Sequence, residues 1–89
     1  MAGAAKFDWD DANTRHIARH DVTPEEVEQA LANNPLVVLA VQRRSGEERA
    51  LCAGLTDAGR ALQFVYTMRR GRIRVVTAHP AKRKVREKL

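Results

Sequence analysis

The stretch MRRGRIRVVTAHPAKRKVREKL, residues 68–89, sets nine Lys and Arg residues and one Glu around a single histidine, His79. Metal-free cleavage of RNA asks for a similar set of parts. One group takes the proton of a 2′-hydroxyl, cations stabilise the charge that builds around phosphorus, and a donor protonates the departing oxygen. His79 could fill either proton-transfer role, because an imidazole ordinarily titrates near neutral pH. Arg49, Arg60, Arg74, Lys82 or Arg83 could hold the phosphate, arginine through a bidentate fork and lysine as a point charge. DNA has no 2′-hydroxyl to attack with, so this chemistry selects RNA. The same residues also suit an ordinary basic strand end, with His79 at the end of a strand and no catalytic part to play.

Other chemistries find weaker support. His16 and His20 are four apart, which puts two imidazoles on one helical face, a spacing that can ligate zinc. The zinc-protease signature needs Glu after the first His and a third ligand, whereas Ile17 stands there and no Cys pair accompanies it. No metal site and no cofactor are expected. Ser45 is the only serine and falls in a polar turn, which argues against a serine hydrolase. The lone cysteine, Cys52, has apolar neighbours and reads as a buried structural thiol.

Charge is distributed unevenly. Residues 1–34 carry three basic and seven acidic side chains, residues 35–68 four and three, and residues 69–89 nine and one. Clustered cations favour a polyanion, so Arg69, Arg70, Arg72, Lys82, Arg83 and Arg86 are the expected RNA-binding residues. Eighty-nine residues suffice for one modest core, so a single domain over 1–89 is expected, with residues 1–6 flexible. Neither a secretion signal nor an apolar run of about twenty residues is apparent. A cytoplasmic protein that does not meet the membrane is expected.

These residues must be positioned by local elements. Asp10 or Asp11 caps a short first helix that ends near His20, with Ala12, Ile17 and Ala18 and the ring of His16 or His20 at helical spacing. Thr23, Pro24 and Glu26 form a capping box for a second helix, with Val27, Ala30 and Leu31 as its apolar stripe. LVVLAVQ, RALCAGLT, RALQFVYTM and IRVVTAH then read as four strands, joined by RRSGEE, DAG and RRGR turns. Alternation puts Leu62, Phe64, Tyr66 and Met68 on one face of the third strand. In the fourth it separates Arg74, Val76 and Ala78 from Ile73, Val75, Thr77 and His79. Pro80 starts a basic terminal helix. The expected fold class is α+β: two N-terminal helices packed on a four-stranded antiparallel meander, with a short C-terminal basic helix.

The segments FDWD (7–10), HIARHDVTPEEVEQAL (16–31), GLTDAGRAL (54–62), VYT (65–67) and IRVVTAHPA (73–81) together resemble the BrnT-type ribonuclease toxins of type II toxin–antitoxin systems, which have a RelE-like fold. The resemblance implies a small cytoplasmic endoribonuclease that blocks translation and is neutralised by a cognate antitoxin. It implies promoter DNA binding only through the antitoxin complex, and functional roles for Arg49, Arg60, Arg74 and the basic end after Ala78. The chain departs from the pattern where the family reads Ala-Arg-x-Ala, for it has Ala78, His79, Pro80 and Ala81. The family's later Glu and closing Tyr are Val85 and Leu89 here. If those positions carry the chemistry in relatives, this chain is weak, inactive or dependent on His79 instead.

Two other readings stand beside the ribonuclease toxin: a non-catalytic nucleic-acid-binding or regulatory protein on the same scaffold, and an interaction module whose basic face meets an acidic protein. Only four aromatic residues are present, Phe7, Trp9, Phe64 and Tyr66. That scarcity favours backbone recognition over base stacking and limits sequence preference on single strands.

Overall fold

A computed structural model describes residues 5–89. Two helices, α1 (Asp11–Ala18) and α2 (Pro24–Ala32), precede four strands, β1 (Val37–Arg44), β2 (Glu47–Leu55), β3 (Ala61–Arg69) and β4 (Arg72–Pro80), and a final turn of helix, α3 (Arg83–Arg86). The strands pair in sequence order, each antiparallel to the next. This is the expected α+β arrangement.

Both helices begin on reciprocal caps. In α2 the Thr23 hydroxyl accepts from the Glu26 amide at 3.2 Å and the Glu26 carboxylate accepts from the Thr23 amide at 3.0 Å. In α1, Asn13 takes the place usually held by Glu: its side-chain oxygen accepts from the Asp10 amide at 2.8 Å, while Asp10 accepts from the Asn13 amide at 3.1 Å. Caps of this kind contribute about 1 kcal/mol each.

The buried residues of α1 are Asn13 and Ile17, whereas Ala12 and Ala18 are exposed, contrary to the apolar pattern. Asn13 is buried because it completes an edge. Its Nδ2 donates to the Asp8 carbonyl at 2.9 Å and to the Val75 carbonyl at 3.2 Å. Just before it, the Ile73 amide donates to the Lys6 carbonyl and the Asp8 amide to the Ile73 carbonyl, both at 2.8 Å. The N-terminal segment and α1 therefore close the outer edge of β4 in succession, satisfying backbone groups that an edge strand leaves free.

Ile17, Val22, Val27, Ala30, Cys52, Leu62, Phe64, Val75 and Ala78 form the core, with Phe7, Trp9, Leu31, Ala50 and Tyr66 packed around it. Burying each large side chain among them contributes about 1.5–3 kcal/mol. Gly54 sets how closely α2 approaches β2, since a Cβ there would strike the Ala30 carbonyl.

Two turns are tighter than expected. Ser45-Gly46 and Arg70-Gly71 each have two successive residues at positive φ, the two-residue hairpin geometry that matches strand twist. The RRSGEE segment is therefore mostly strand and RRGR half strand.

The largest correction concerns β4. Arg74 pairs with Thr67 and Val75 with Tyr66, but the next partner, Val65, faces Thr77. Val76 is the extra residue of a bulge. Beyond it the faces are inverted relative to strict alternation: Val75 and Ala78 both enter the core, while Arg74, Thr77 and His79 share the opposite face. The terminal helix is also shorter than expected. Pro80 ends β4 by pairing with Leu62, and the Ala81 amide still donates to the Ala61 carbonyl at 2.9 Å. Pairing that continues through these residues leaves only Arg83–Arg86 for α3.

Candidate functional site

The sheet face opposite the core carries three cross-strand rows: Arg49, Thr67 and Arg74; then Leu51, Val65 and Thr77; then Ala53, Gln63 and His79. At the first row a cleft of about 280 Å³ opens, lined by Glu47, Arg49, Thr67, Arg69 and Arg74 together with His16 from α1. His16 reaches this face because α1 runs along the β4 edge, directing Ile17 into the core and the preceding residue the other way.

Arg74 is held firmly. Its Nη1 lies 3.4 Å from an Asp8 oxygen and 3.1 Å from an Asp10 oxygen, and its side chain is 14% exposed. The hydrogen bond from Arg74 lowers the Asp10 carboxyl below its ordinary pKa, with the Asn13 amide helping; the Arg74 guanidinium is raised in return, by Asp10 first. Arg49 pairs with Glu47 at 3.2 Å. Both arginines are oriented by carboxylates, so a phosphate entering the cleft would compete with those partners.

The three histidines of the chain form a row beside the cleft. His16 Nε2 lies 3.1 Å from the Thr77 hydroxyl, the His16 and His20 ring centroids are 5.9 Å apart, and those of His20 and His79 are 6.0 Å apart. His79 Nδ1 is 2.9 Å from the Pro80 carbonyl. A carbonyl can only accept, so Nδ1 carries a proton, and in the neutral ring it is Nε2 that holds the lone pair.

Arg49 and Arg74 thus meet in the cleft, with Arg69 at its margin. Arg70 occupies the β3–β4 turn and Arg72 follows it. Arg60 goes elsewhere: its Nη1 donates to the Asp21 carbonyl at 2.7 Å and to Glu26 at 2.9 Å, tying the β2–β3 turn to the start of α2. Burial pushes the Glu26 carboxyl up, but hydrogen bonds from Arg60 and Thr23 outweigh it and the net shift is downward. Lys82, Arg83 and Arg86 are exposed at the other end of the face. The Lys82 amide donates to Gln63 at 2.8 Å, which brings this basic segment alongside the cross-strand partner of His79. His16 and His20 are additions that the sequence pattern does not place in the site. Their spacing is the available signal, but it points to a metal pair unless the third histidine is known to lie next to them. Among the described residues no group of three or more His, Cys, Asp and Glu side chains is arranged to hold a metal ion.

A family model for BrnT, the ribonuclease toxin of type II toxin–antitoxin systems, matches residues 9–84. The chain belongs to the BrnT family. Membership in BrnT carries RNA as the family's substrate class and an antitoxin as its partner, and the matched span contains the cleft arginines and all three histidines. No curated protein matches the chain. No helix among the described residues of this BrnT chain is long and apolar enough to cross a membrane.

Proposed function

We propose that this chain is a metal-independent endoribonuclease toxin on a RelE-like scaffold, acting in the cytoplasm to cleave RNA and stop translation until a cognate antitoxin covers it. Promoter DNA would be met only through the antitoxin complex. The observation that supports this best is convergence: Arg49, Arg69, Arg74 and His16 come from separated parts of the chain to one cleft, and His79 lies on the same open face. In this reading the cleft and the basic end hold the RNA backbone, and His79 exchanges a proton with the reacting oxygen.

A second reading is a nucleic-acid-binding protein without cleavage. It is favoured by the carboxylates already engaging Arg49 and Arg74. Incubating purified protein with RNA in the presence of a chelator separates the two. Cleavage that His79→Gln abolishes supports the ribonuclease; salt-sensitive binding with intact RNA supports the alternative.

A further inference from the structure

We propose that His20 is a second catalytic residue, the general acid that works with His79 as general base; this rests on the ribonuclease reading. The geometry separates the two roles. His79 has its Nδ1–H committed to the Pro80 carbonyl at 2.9 Å, which leaves Nε2 as a proton acceptor. His20 is exposed and lies two residues beyond the end of α1, where its amide donates to the Ile17 carbonyl at 2.9 Å and sets the ring beside His79. The two rings are 6.0 Å apart and inclined at 66°, so neither stacks on the other and both can address one ligand. His16 backs His20 at 5.9 Å and is itself fixed against Thr77. The charged residues on the adjoining segments are Arg15 and Arg19 of α1 and its cap, Asp21 after it, and Lys82 and Arg83 beyond β4.

An in-line displacement at phosphorus places the attacking and leaving oxygens on opposite sides of one atom. Two imidazoles a single ring-spacing apart can reach both. His79 Nε2 takes the 2′-hydroxyl proton as the 2′-oxygen bonds to phosphorus. The bond from phosphorus to the 5′-oxygen breaks, and that oxygen receives the proton from the His20 imidazolium. The products are a 2′,3′-cyclic phosphate and a 5′-hydroxyl. His79 is left protonated and His20 neutral, and exchange with water restores both.

The test compares wild-type protein, His20→Gln and His79→Gln on two substrates in a chelator. One is a short RNA oligonucleotide. The other is uridine 3′-(p-nitrophenyl phosphate), whose leaving group departs without a proton. Each variant should fall about a hundredfold to ten-thousandfold on RNA. On the activated substrate His20→Gln should return to within a few-fold of wild type, while His79→Gln stays impaired. The limb of the pH–rate profile that reports the acid should vanish in His20→Gln alone. Wild-type rates on RNA for His20→Gln, equal impairment on both substrates, or activity that requires added metal would each overturn the assignment. A wild-type protein inert on both substrates would instead remove the ribonuclease reading beneath it.

Discussion

At one end of the open sheet face, Arg74 is gripped by Asp8 and Asp10 and Arg49 by Glu47. At the other end, His79 stands beside exposed Lys82 and Arg86, which have no carboxylate partner among the described residues. The first end is ordered but largely neutralised, and the second carries uncompensated charge on exposed side chains. Net charge along a chain therefore does not tell which cations are available to a ligand. Four of the seven carboxylates of the N-terminal third are engaged within the fold, Asp8 and Asp10 with Arg74, Glu26 with Arg60 and Glu28 with the Trp9 indole at 2.8 Å, while Asp11, Asp21 and Glu25 are exposed.

The most severe way to break this contrast is to insert one alanine between Thr77 and Ala78. The added residue turns His79 toward the core and Ala78 outward, because a one-residue slip exchanges the faces of a strand. Disappearance of the cooperative thermal transition is expected, and a soluble variant should not cleave RNA. Deleting Val76 is the matched control: it removes the bulge but leaves Val75 and Ala78 inward and Thr77 and His79 outward, so the fold should survive. An insertion variant that melts and cleaves like wild type would show that the faces of β4 do not set the site.

Next in size is a pair of substitutions at opposite ends. His79→Gln should cut RNA cleavage by about a hundredfold or more with little change in Tm. Arg74→Gln should lower Tm by several degrees, because Asp8 and Asp10 are deprived of their shared cation. A His79 variant that melts early, or an Arg74 variant as stable as wild type, would reverse the roles given to the two ends.

Acid titration sharpens the Arg74 side. The Asp10 carboxyl is lowered in the folded chain, so its contribution to stability is present above its unfolded value, about 3.9, and fades as pH falls through the lower folded value. The Tm difference between wild type and Arg74→Gln should accordingly shrink on acidification below about pH 4. A difference that stays constant down to about pH 2 would mean the guanidinium acts through packing alone.

The smallest expected effect is electrostatic. Replacing Lys82, Arg83 and Arg86 by Gln should flatten the dependence of RNA binding on log salt by roughly 2, about 0.7 for each phosphate left without its cation. Arg49→Gln should flatten it less, since that cation is already paired with Glu47. Equal slopes would erase the distinction between the ends.

Much of the fold was legible locally. The Thr23 box, the glycine turns and the face assignment of β3 depend on residues close in sequence, and each has its expected counterpart in the structure. The candidate site was legible only in fragments. Alternation across RVVTAH contains nothing to announce an extra residue at Val76, because either valine suits a strand on both faces. The buried role of Asn13 was hidden for a related reason: its value lies in carbonyls of Asp8 and Val75, the latter sixty-two residues away. Arg60 has the charge of a phosphate ligand, but its direction, toward Glu26 and the Asp21 carbonyl, is not written in the sequence.

Cys52 offers a different use of the same architecture. Its side chain is fully buried in the core, and burial pushes the thiol pKa up, so little thiolate is available to react. As the chain's single thiol, it should be alkylated only when the core opens. The labelling rate of that one sulfur then becomes a clock for opening, readable with the native sequence and without attaching any probe to the face that carries the histidines.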